Sequence, residues 1–200
     1  MPWNRKLVTF KNDYISSYTF AYLFPDFHIF QLVIKELPKV MQNKALIQGN
    51  DIESLAAALF KTISDSNKAL HVAYKCTTDD LNSLVLPAIA SLVIYHQYLQ
   101  PSNQHKIIEV LKMGISIKLP AIPNICINTM TTIILEMPEA SMRKLPDILL
   151  QMSKMSDTSN VAIPVLEFLS SKWNKASLSN KLFNTTFSYS TQSFIQRFVY

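Results

Sequence analysis

The side chains able to do chemistry are few in this chain, and they stand apart from one another. His96 lies in Tyr95-His96-Gln97-Tyr98, but a metal would need a second histidine or a carboxylate three or four residues away to share it. None is there, so His96 reads as a packing or capping residue. His28 borders an apolar run, while His71 and His105 lie in polar contexts. Asp79 and Asp80 could form an acid pair, yet they stand directly before a long apolar helix and read, with Thr78, as its cap. Cys76 and Cys126 have no Cys-x-x-Cys spacing and read as buried free thiols of a reducing compartment, Cys126 sitting between Ile125 and Ile127. No serine or cysteine occupies a strand-turn-helix elbow. The only glycines, Gly49 and Gly114, rule out the glycine-rich phosphate cradles, which need backbone approach that a Cβ blocks. The expectation is therefore no catalytic residue, no metal ligand, no cofactor-binding residue and no cofactor.

The elements that carry these residues are helices. Between Asp80 and Leu99, apolar Leu81, Leu84, Val85, Ala88, Leu92, Tyr95 and Leu99 recur at steps of three and four, which predicts one α-helix. Leu86, Ile89 and Val93 widen its apolar arc to roughly 200°, so neighbours must cover both flanks. Asn82 interrupts the arc, and Ser83, Ala90 and Ser91 leave room for a close helix.

Upstream, Pro25-Asp26 opens a helix over about Phe27–Leu37 that buries Phe27, Phe30, Ile34 and Leu37, with Pro38 ending or kinking it. Asn50 or Asp51 caps the next, whose buried face is Ile52, Leu55, Ala56, Leu59, Phe60 and Ile63. Residues 65–80 read as the longest internal loop. Downstream, Pro101 opens a helix with Ile107, Ile108 and Leu111 inward and Gly114 just past its end. Pro120 and Pro123 bracket a turn before Ile125–Leu135, and Pro138 precedes a helix over Glu139–Met155. A last helix is expected over about Ser159–Ser171.

Composition narrows the class. The chain has 200 residues, 48% of them apolar, which is enough for an extended core. Its net charge of +5 is spread over lysines throughout the chain, with no basic stripe interleaved with aromatics, so nucleic-acid binding is not expected. The longest apolar run, Leu84–Tyr95, is too short to cross a bilayer. Tyr14–Phe24 is broken by Ser16, Ser17 and Thr19 and has no cleavage site, so no signal peptide is expected.

Three related pieces repeat: Val85-Leu86-Pro87-Ala88-Ile89, Lys144-Leu145-Pro146-Asp147-Ile148 and Ala162-Ile163-Pro164-Val165-Leu166 each place a proline inside an apolar helix. Such prolines bend helices, as a curved stack requires. Pro87, Pro123 and Pro164 stand 36 and 41 residues apart, near the ~40 of helical solenoid repeats. The fold expected is all-α, a HEAT/armadillo-like α-solenoid of stacked antiparallel helix pairs.

Leu84-Val85-Leu86-Pro87-Ala88-Ile89 running into Val93-Ile94-Tyr95-His96-Gln97-Tyr98-Leu99 resembles the tuberin family of the tuberous sclerosis complex. Four further blocks are similar to that family, in its order: Phe30 to Pro38, Leu55 to Leu59, Met137 to Ala140, and Val161 to Ser170. The likeness thins beyond Ser170, returning at Phe187-Ser188-Tyr189 and Phe194 to Val199. This resemblance implies three segments: an incomplete, weakly ordered first element over 1–24, a helical-repeat segment over 25–171, and a divergent, shortened piece over 172–200. It also implies a cytoplasmic, non-enzymatic scaffold whose partner is a hamartin-like protein. The family's GTPase-activating domain acts on the small GTPase Rheb, restraining target-of-rapamycin signalling, and none of its catalytic motif is present in this chain. The full complex would associate peripherally with membrane, at the lysosome. Two other readings stand beside it: an unrelated α-solenoid adaptor for a protein or peptide, and a helical enzyme with an unrecognised site. A cargo binder would show regularly spaced asparagines and aromatics, and an enzyme would show converging titratable groups.

Overall fold

The computed structural model describes residues 26–43, 49–65, 75–119, 121–155, 163–164 and 167–168. Among them are helices and no strand, an all-α arrangement compatible with an α-solenoid. The helices are α1 (Phe27–Met41), α2 (Gly49–Asp65), α3 (Thr78–Ser91), a 3₁₀ segment (Leu92–Tyr98), α4 (Pro101–Ile115), α5 (Ala121–Glu136), α6 (Pro138–Met142) and α7 (Leu145–Met155). Residues 163–164 and 167–168 are also helical, within the expected last helix, and Phe168 is fully buried. The segments 1–24 and 172–200, and most of the loop expected over 65–80, lie outside the described residues. The described residues fall into two compact units divided between Ile107 and Ile108, inside α4.

In the first unit, Asp26 caps α1 by accepting the His28 backbone N–H at 2.8 Å. The helix does not end at Pro38 but runs on to Met41. A proline this near the C-terminus removes one hydrogen bond and leaves only a single turn beyond it, so the loss is small. Phe30, Ile34 and Met41 face the core, while Phe27 and Leu37 are only half-buried. In α2, Ile52, Ala56, Leu59, Phe60 and Ile63 are buried as their spacing predicts, with Leu55 half-buried. Asn50 and Asp51 stand inside the first turn of α2, which begins at Gly49.

The central apolar stretch is buried nearly throughout, Leu84 being half-buried. It packs against both α1 and α2, as an arc too wide for one neighbour requires. It is not one α-helix, however. Regular α geometry stops at Ser91, and the next seven residues are two short 3₁₀ turns joined by a kink at Tyr95, which leaves helical angles at φ −108°, ψ 20°. The cause is tertiary, since no glycine or proline lies between Pro87 and Pro101.

In the second unit, Ile108, Leu111 and Ile115 of α4 are fully buried, with Gly114 inside the last turn instead of past it. Pro123 lies in the first turn of α5, not in a turn before it, because the early positions of a helix have no use for the missing donor. The single helix expected over Glu139–Met155 is two, α6 and α7, parted at Arg143-Lys144. Pro146 explains the break: it has no N–H for the Met142 carbonyl, and its ring crowds that carbonyl. Pro146 thus starts a helix, whereas Pro87 does lie inside one.

Candidate functional site

Among the described residues, several of the side chains that could do chemistry serve local structure. The cap of α3 is Thr77, one residue before the expected trio: its hydroxyl accepts the Asp80 N–H at 3.2 Å while the Asp80 carboxylate accepts the Thr77 N–H at 2.9 Å. Two donors that the first turn leaves unpaired are thereby satisfied reciprocally. Bonding from the Thr77 hydroxyl and then its N–H holds the Asp80 carboxyl below its ordinary value. Thr78 and Asp79 lie exposed in the first turn.

Burial raises the pKa of both cysteines, that of Cys126 to about 12, so neither thiol supplies a thiolate at neutral pH. His96 Nδ1 lies 3.1 Å from the Val93 carbonyl, and His105 Nδ1 lies 2.6 Å from the Pro101 carbonyl. His71 lies outside the described residues. No three of the described His, Cys, Asp or Glu residues converge to hold a metal. No described helix is long and apolar enough to cross a membrane.

The polar groups that do converge join helices. In the first unit, Glu53 of α2 grips the start of α4: its carboxylate accepts the Gln100 backbone N–H at 3.2 Å and the Asn103 side-chain amide at 2.6 Å. Two turns further along α2, the Lys106 ammonium stands 6.0 Å from the centre of the Phe60 ring. Contacts that advance together along both helices mean that α2 and α4 run parallel. Buried Tyr95 donates its hydroxyl to the Met41 carbonyl at 2.5 Å, and the Ser91 hydroxyl lies 3.1 Å from the Met41 sulfur, joining the end of α1 to the end of α3 and the 3₁₀ segment after it. Removal from water raises the Tyr95 pKa, which keeps it a donor.

In the second unit, Glu109 of α4 binds Lys112 at 2.8 Å and Lys144 at 2.6 Å, and Lys112 lies 4.0 Å from Asp147. The amide of Gln151 donates to the Ser116 hydroxyl. Glu109 and Lys144, Lys112 and Asp147, and Ser116 and Gln151 are each separated by 35 residues. A constant separation means that α4 and α7 also run parallel. Hydrogen bonds from Lys112 and then Lys144 hold the Glu109 carboxyl below its ordinary value, and the same bond raises the Lys144 pKa.

None of Glu53, Tyr95, Glu109 or Lys144 stands out in the sequence as a clasp, because partners 35 to 54 residues away leave no local pattern. The one legible trace is the spacing of Pro87, Pro123 and Pro164, close to the 35-residue register between α4 and α7.

Compared with known families, the chain matches the Tuberin family model over residues 24–189. That match spans all five sequence blocks from Phe30 to Ser170 and continues to Tyr189.

Proposed function

Because the chain belongs to the Tuberin family, we propose that it is a non-catalytic scaffold segment of a tuberin-like GTPase activator. The family match over 24–189 is the observation that carries this reading. In this reading the helices stack as a HEAT-type α-solenoid. The parallel course of α2 and the start of α4 in the first unit supports it, since a stack of helix pairs sets every second helix in the same direction. Its chemistry-bearing groups hold helices together, which suits a part supplying shape and interface. With a hamartin-like partner, the full protein would restrain a Rheb-type GTPase, and through it target-of-rapamycin signalling, by means of a GTPase-activating domain outside this segment. Its place would be the cytoplasm, with recruitment of the complex to the lysosomal membrane.

The test is Leu92→Asp in a full-length protein carrying this segment. Loss of the hamartin-like protein from the purified complex, with the separately expressed GTPase-activating domain still active on Rheb, is the expected result. A complex of unchanged composition that still restrains the kinase would overturn the scaffold reading.

A further inference from the structure

Among the described residues of the first unit, the large apolar side chains exposed to water are Ile29, Leu32 and Val40 of α1 and Ile94 and Tyr98 of the 3₁₀ segment, with none on α2 or the start of α4. The two groups adjoin. Tyr95 donates to the Met41 carbonyl at 2.5 Å in the last turn of α1, and the Tyr98 ring stands 6.5 Å from that of Tyr95. Apolar exposure in this unit thus collects on α1 and on the segment joined to its end, and exposure collected in one place marks a contact surface.

Helix α1 carries two apolar faces. Phe30, Ile34 and Met41 share roughly 40° of arc and are buried, where α1 packs against α3. Ile29, Leu32 and Val40 share roughly 80° of arc centred about 140° away, and Leu32 is 64% exposed. A helix that packs on one side needs only the first face. At about 1.5 Å per residue, Ile29 and Val40 stand roughly 16 Å apart, the length of three turns of a second helix laid along the other face.

Charge selects the occupant. His28, Lys35 and Lys39 are all exposed and run along one edge of the second face, within roughly 40° of arc. Glu36 is the sole acid within α1 and is held by Lys39 at 2.8 Å, while Lys35 makes no ion pair among the described residues. Two copies of α1 laid antiparallel about a two-fold axis would set lysine edge against lysine edge, which like charges disfavour.

We infer that α1 and the 3₁₀ segment form a docking face for an amphipathic helix of a partner protein, its apolar side covering Ile29, Leu32, Val40 and Tyr98 and its acidic edge meeting Lys35 and Lys39. The inference goes beyond the scaffold reading and stands on α1 itself, so neither a hamartin-like protein nor GTPase activation enters its test.

The probes are two labelled helical peptides of about three heptads, each with leucine at a and d and with glutamate or lysine at e and g, where like charges keep each from pairing with itself. By fluorescence anisotropy the full chain should bind the glutamate peptide about tenfold or more tighter than the lysine peptide. Leu32→Asp and Tyr98→Ser should each weaken that binding about tenfold with circular dichroism unchanged, whereas Leu150→Asp, at a similarly exposed leucine of α7 in the second unit, should leave it unaltered. Lys35→Glu combined with Lys39→Glu should reverse the preference. The glutamate peptide should also disperse self-association of the isolated chain. Failure to bind the glutamate peptide, which would mean that the chain covers this face itself, overturns the inference. So do equal binding of both peptides, a preference that survives the lysine reversals, and equal losses at Leu32 and Leu150. Self-association that Leu32→Asp abolishes but the glutamate peptide does not disperse would give the face to a second copy and overturn it as well.

Discussion

Replacing Leu92 by aspartate places a carboxylate at a fully buried position where the 3₁₀ segment meets α3. Two costs combine. Loss of the leucine side chain from a packed site costs about 2–5 kcal/mol, judged from Leu→Ala series. An unpaired carboxylate withdrawn from water costs several kcal/mol more, or forces the group to bind a proton. The total, at least about 5 kcal/mol, rivals the whole stability of an ordinary domain at about 5–15 kcal/mol. Leu92→Asp should therefore lose most of its helical circular dichroism at 25 °C, while Leu92→Ala should stay folded with a lower melting temperature. Ile94→Asp is the control, two residues away but 43% exposed, and should cost about 1 kcal/mol or less. A Leu92→Asp melting curve like the parent's, or equal losses at 92 and 94, would refute the burial of the central stretch and the packing argument built on it.

Glu109 carries a pH dependence. Its folded pKa lies below the ordinary 4.5, so its contribution is complete above that value and is lost as pH falls through the folded pKa. Glu109→Gln should flatten the acid side of the stability profile below about pH 4.5, by less than about 1 kcal/mol because the carboxylate is 42% exposed. Denaturant melts at pH 3 and 7 measure this, and equal loss in both proteins would show that the pairing adds nothing. His71, His96 and His105 should each be replaceable by glutamine without loss of partner binding or GTPase activation in a full-length protein. A metal stoichiometry that vanishes in His96→Gln would contradict that. The isolated chain should associate in solution, because Ile29, Leu32 and Val40 are exposed on α1 and only 16% of its residues are charged. A monodisperse monomer across a light-scattering concentration series would show that these apolar groups do not drive association.

By itself the sequence determined the all-helical class, the buried faces of α1, α2 and the central stretch, and the family resemblance. Those follow from local spacing: burial of one helical face repeats every three or four residues, so Ile52, Ala56, Leu59 and Ile63 announce their side without any knowledge of what covers it. Capping as the use of Asp80 was equally legible, although Thr77 as its reciprocal partner was missed by one residue. What the spacing of prolines could not say was which would bend a helix and which would begin one. Pro87 stays inside α3, whereas Pro146 stands in the first turn of α7, a difference set by whether packing continues across the missing hydrogen bond. Only the tertiary structure decided the kink at Tyr95 and the helix clasps. The stretch 92–98 is α-helical by its own periodicity, but the chain leaves regular α geometry after Ser91 and kinks at Tyr95, where it meets Met41, 50 or more residues from its partners Ser91 and Tyr95. The charge ladder of Glu109, Lys112, Lys144 and Asp147 likewise exists only because α4 and α7 lie side by side in the same direction, a distance relation that no local pattern encodes.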